Sequence, residues 1–127
     1  MATTDRLFFF HSDMYLMPNA IEEIDKYLEK GVVVSLTRVE PPLHPAGPEK
    51  IIEDFGIEPE ELKEMEMLNW YSRYEPKQET TEGVFAPWAI MRKDFNSVGG
   101  HDPMFRPQSK EDSDIFNRLH LNGVKFI

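Results

Sequence analysis

Two clusters in the 127-residue chain hold residue types that could do chemistry. The first is His11-Ser12-Asp13, which follows the apolar run Leu7-Phe8-Phe9-Phe10. Such a run reads as a strand buried on both faces, so the triplet falls where that strand opens into a loop. Open α/β sheets bind ligands at this carboxyl end of their strands. A carboxylate there can take Mg²⁺ or Mn²⁺, which accept oxygen ligands with a phosphate as partner, and a neighbouring imidazole suits Mn²⁺. The plainer reading is an Asp13 that caps the loop beside a strand-end His11.

The second cluster is Gly99-Gly100-His101-Asp102, then Glu111-Asp112-Ser113-Asp114 and Arg118. Ser109 with Asp112 three residues on is a capping-box-like start, which puts Glu111 and Asp112 in a first helical turn that can project into a cleft. Ile115, Phe116 and Leu119 would anchor that helix, and Asp114 with Arg118 at i,i+4 would brace it. The plainer reading is a helix start where acids favour the macrodipole. The two glycines are either an ordinary turn or a place where backbone passes close to a ligand.

These clusters need a scaffold. The spacing predicts a helix after Pro18, capped by Asn19 with Glu22 reaching back, with Ile21, Ile24 and Leu28 on its inner face and Gly31 as its stop. Val32 to Leu36 is a second strand, so a β-α-β order and a parallel or mixed sheet are expected. Glu40 to Pro48 carries four prolines and is an excursion without regular structure. Glu49 to Phe55 and Pro59 to Trp70 read as helices, the second with Leu62, Met65 and Leu68 or Asn69 inward and its glutamates in solvent. Tyr71 to Glu82 is irregular, Val84 to Met91 is a strand disturbed by Pro87, and Asp94 to Val98 is a helical turn. A helix from Ser109 to His120 and a strand from Val124 to Ile127 complete the chain.

Composition narrows the function classes. Fourteen Lys and Arg against 23 Asp and Glu give a net charge of −9, which disfavours a nucleic-acid partner. No run reaches the length of a membrane helix, no cysteine is present, and no leader is legible at Met1 to Arg6. A cytoplasmic location is the default expectation. His44 and His120 have no partner pattern and read as surface residues.

The order strand, Asp-containing loop, helix, strand, long excursion, strand, Gly-Gly and Glu-Asp-X-Asp helix resembles the second half of a GT-A fold glycosyltransferase of the family 2 kind. The resemblance covers roughly Leu7 to Ile127 and is most specific from Phe95-Asn96-Ser97-Val98-Gly99-Gly100-His101-Asp102 through Glu111 to Leu119. It implies an α/β fold, a partial GT-A-like mixed sheet flanked by helices that lacks most of the amino-terminal nucleotide-binding half. The family's Asp-X-Asp maps onto His11-Ser12-Asp13, so Asp13 is the expected metal ligand, for Mn²⁺ or Mg²⁺, while His11 replaces the first Asp. The Glu-Asp pair maps onto Glu111 and Asp112. Asp112 is then the expected general base and Glu111 the residue that orients the acceptor, with the reverse assignment open.

The resemblance further implies donor or acceptor contacts from His11, Gly99, Gly100, His101, Asp102, Asp114 and Trp88. Trp70, Tyr71 and Tyr74 are further rings on which a sugar could stack, the plainer reading of all four rings being core or edge packing. The implied partners are a nucleotide-sugar donor and a glycan or other hydroxyl acceptor. Family members hold the nucleoside with strands ahead of the Asp-X-Asp strand, and this chain begins a few residues before it. Half of the donor pocket is therefore expected to be absent, and the chain reads either as a fragment or as a split or truncated form that needs a second copy or a partner chain carrying the first half. A non-catalytic carbohydrate-binding or assembly subunit is the alternative, whereas a nucleotidyltransferase would carry a Gly-rich phosphate loop that is missing here.

Overall fold

A computed structural model describes residues 3–43, 45, 47, 50–75, 86–105 and 110–127. The first strand, β1 (Arg6–Phe9), leads through the His11 loop into α1 (Ala20–Tyr27) and β2 (Val32–Ser35). A short pair, β3 (Arg38–Glu40) and β4 (Lys50–Ile52), precedes a single 3₁₀ turn at Pro59–Glu61 and α2 (Glu64–Tyr71). Then come β5 (Trp88–Met91), α3 (Arg92–Ser97), a 3₁₀ turn at Pro103–Phe105, α4 (Glu111–Leu121) and β6 (Lys125–Phe126). Among the described residues no helix is long and apolar enough to cross a membrane.

The main sheet runs β1-β5-β2-β6, with β5 antiparallel to both β1 and β2 and β6 parallel to β2. It is a mixed sheet with helices on both faces, because period-2 alternation divides its side chains between two cores. Val33, Trp88, Ile90 and Phe126 meet Ile115, Phe116 and Leu119 of α4 on one side. Val32, Val34 and Ala89 meet Ile24 of α1 on the other. β3 and β4 form a separate parallel pair, in which Glu40 bonds both Arg38 and Lys50 at 3.3 Å.

Several expectations are corrected. β1 is not buried on both faces. It is an edge strand with β5 on one side only among the described residues, and Phe10 beyond it is 40% exposed. Asn19 does head α1, but in a left-handed conformation (φ 63°), and no side chain caps that end. Left-handed backbone does not have the extended geometry from which a side-chain cap reaches the first-turn N–H groups. Ile21 is exposed, and Ala20, one turn before Ile24, joins it inside.

Residues 50–52 form a strand rather than part of a helix, since β-branched Ile51 and Ile52 complete a ladder on Val39 and Glu40. The helix expected from Pro59 breaks at Leu62 and Lys63, where the Lys63 N–H bonds the Phe55 carbonyl instead. The break rotates the inner face, so Met67 is buried while Met65 is 72% exposed. Pro87 does not disturb β5. It stands just before the strand, and its carbonyl accepts from the Leu36 N–H at 3.1 Å, so β5 is an interior strand. The expectations for His44, Val84, Phe85 and Ser109 concern positions outside the described residues.

One buried carboxylate stitches this arrangement together. Asp94 of α3 accepts from the Gly31 N–H at 2.7 Å, tying α3 to the turn that starts β2. Asp94→Ala leaves that N–H without its partner and should cost about 1–3 kcal/mol in urea unfolding, whereas Asp94→Asn, which keeps an acceptor oxygen, should cost less.

Candidate functional site

Strand direction gathers the expected residues at one end of the sheet. β1 and β2 point the same way, and the pairs Phe9↔Trp88 and Ser35↔Trp88 put the carboxyl ends of both beside the amino end of β5. His11-Ser12-Asp13 leaves from that end, with all three residues exposed. α4 turns into β6 through Gly123 (φ 79°), with the Val124 N–H bonded to the Leu119 carbonyl at 3.0 Å. Because β6 is parallel to β2, a helix that enters β6 by so tight a turn has its own amino end at the same end of the sheet. Glu111 and Asp112, both half-buried in the first turn of α4, are brought there.

The third group arrives by a short return. α3 carries the chain back from β5, and Gly99 and Gly100 close it by donating to the carbonyls of Asn96 and Phe95, each at 3.0 Å. His101 then packs edge-on against Phe9 (5.5 Å between ring centroids), Phe95 (5.6 Å) and Trp88 (6.3 Å). Its Nδ1 is buried without a hydrogen-bond partner among the described residues. Gly100 has φ 66°, and a Cβ there would stand 2.8 Å from Cε1 of Phe95, so packing against that ring requires the glycine. Asp102 accepts from the Met104 N–H at 2.9 Å and starts the 3₁₀ turn.

Two expected binding residues have other work. Trp88 is 1% exposed, stacked on Phe9 at 4.0 Å and met edge-on by Phe116, so it supports the site from below and offers no ring face to a ligand. Asp114 engages Arg118 through bonds of 2.6 and 3.0 Å, and Arg118 also donates to the Val98 carbonyl. The i,i+4 brace read from the sequence is therefore also a tie between α4 and the glycine turn, which spacing within one helix could not reveal. Lys110 heads α4 in a left-handed conformation (φ 61°) with no side-chain cap.

Sequence reasoning missed Tyr15. Its hydroxyl donates to the Glu64 carboxylate at 2.8 Å and joins the Asp13 loop to the first residue of α2. No periodic pattern marks such a contact between two loops' ends. Among the described residues no group of three or more His, Asp or Glu side chains could hold a metal ion. At the position expected to hold a cation, Asp13 presents a single exposed carboxylate on its loop. Compared with protein-family models, curated proteins and solved structures, the chain matches none.

The Tyr15 bond has a pH signature. The hydrogen bond to Glu64, then desolvation, then the carboxylate charge raise the phenol above its ordinary 10.0. A raised value means that the bond's contribution is whole below that ordinary value and is lost as pH climbs through the raised one. A tyrosinate titration followed by NMR should find Tyr15 ionising above its ordinary value, and Glu64→Gln should bring it back down.

Proposed function

We propose that the chain is a glycosyl-transfer domain of GT-A-like architecture that moves a sugar from a nucleotide-sugar to an acceptor hydroxyl. The observation that carries this reading is the gathering of Asp13, His101 with Asp102, and Glu111 with Asp112 at one end of a mixed sheet. Those are the positions that the family resemblance assigns to donor and acceptor chemistry, and they come from segments far apart in sequence.

In this reading the Asp112 carboxylate takes the proton of the acceptor hydroxyl as that oxygen attacks the anomeric carbon. The new carbon–oxygen bond forms as the bond to the donor's diphosphate breaks, and the diphosphate leaves with the electron pair. A single displacement inverts the anomeric centre. Glu111, one residue earlier on the same turn, orients the acceptor. Asp13, together with the donor's diphosphate, would hold Mn²⁺ or Mg²⁺, which would supply positive charge beside the leaving group. Association with a second copy or a partner chain along β1, which has one unpaired side among the described residues, belongs to the same proposal.

The test is calorimetric titration with UDP and GDP, with and without Mn²⁺. Metal-dependent binding that Asp13→Ala removes is the expected result, and undiminished Mn²⁺-dependent affinity in that variant would move the cation elsewhere. Absence of nucleotide binding in any assembly state leaves a non-catalytic carbohydrate-binding role as the surviving alternative. With a donor in hand, Asp112→Asn should lower transfer by roughly 10²–10⁴-fold with the melting temperature unchanged, the range expected for loss of a general base.

A further inference from the structure

A second feature stands outside that cluster. Glu66, Asn69, Trp70, Arg73 and Tyr74 recur at i, i+3, i+4, i+7 and i+8, one stripe along α2 and its continuation. Glu66, Asn69 and Arg73 are exposed and Trp70 and Tyr74 half-buried, while the fully buried residue of α2 is Met67. With Phe55 these side chains line an open groove of about 480 Å³. Trp70 lies 5.2 Å from Tyr74 with 16° between ring planes, and 5.9 Å from Phe55.

We propose that this groove is a carbohydrate-binding platform that seats a pyranose ring of a glycan acceptor. A pyranose presents flat C–H faces bordered by hydroxyls that both donate and accept. The aromatic rings match the faces, while Glu66 accepts, Arg73 donates and Asn69 does both. A groove built for an apolar helix would carry aliphatic side chains along the same stripe, without three hydrogen-bonding groups among the rings.

Position supports the assignment. Tyr15, two residues after Asp13, donates to Glu64 at the start of α2, so the helix that carries the platform is fastened to the loop expected to meet the donor. The word acceptor rests on the transferase reading, whereas saccharide binding itself does not.

The chain has two tryptophans, and their indole N–H signals separate the outcomes. Trp70 borders the groove and Trp88 is buried, which makes the second an internal control. The probes are methyl β-glucoside, methyl β-galactoside, methyl α-mannoside, cellobiose, lactose and chitobiose, titrated into the ¹⁵N-labelled protein. At least one should shift the Trp70 signal and leave that of Trp88 in place. Trp70→Ala and Tyr74→Ala should each weaken that saccharide by roughly three- to tenfold, the loss expected for one aromatic contact. Asn69→Ala, which keeps every ring, should weaken it as well. A Trp70 signal unmoved by all six probes overturns the proposal, as does unchanged affinity in both Tyr74→Ala and Asn69→Ala. Saccharide shifts retained in Asp13→Ala support the platform even where nucleotide binding is absent, so the transferase reading can fail by itself. Shifts that vanish in Asp13→Ala overturn the assignment to α2.

Discussion

The stack of Phe9 on Trp88, 4.0 Å between centroids and 12° between planes, is the contact on which the candidate site depends. It joins edge strand β1 to interior strand β5 at the end of the sheet where the functional segments meet. His101 lies edge-on to both rings, and Phe116 brings α4 against Trp88. One aromatic layer therefore sets the height of the His101 turn and of the helix that bears Glu111 and Asp112. Removing either ring of the pair would disturb three segments that no local sequence signal connects.

Much of the scaffold could be read from the chain. β2 announces itself through three consecutive valines, and the α4 anchors Ile115, Phe116 and Leu119 follow helical periodicity and are buried. The glycine closure of α3 and the Asp114–Arg118 brace were likewise visible as short-range patterns. What escaped depends on partners distant in sequence. β4 is a strand because β3 lies beside it, β1 is an edge because the neighbour it has is β5, and Trp88 is core because Phe9 covers it. The inner face of α2 was misread for a local reason, since a two-residue break after the Pro59 turn shifts helical phase.

The acidic character of the chain divides in the same way. Asp94 and Asp114 are held by specific donors, Gly31 and Arg118, and act as joints between elements. Asp13 is exposed on its loop, and Glu111 and Asp112 lie half-buried at a helix start. The first pair joins elements of the framework, and the second group stands at the end of the sheet where the candidate site lies. The net charge of −9 by itself could not separate the two groups.

The excursion over residues 36–87 departs just after Ser35 and returns just before Trp88, and those two residues are partners across the β2–β5 ladder. Its two ends are thus clamped side by side by the sheet itself. Closing a longer or shorter loop between fixed ends changes free energy slowly with length. Changes of length between the elements of this segment are therefore cheap in closure entropy, while the Tyr15–Glu64 bond gives α2 a second fixed point beside the Asp13 loop.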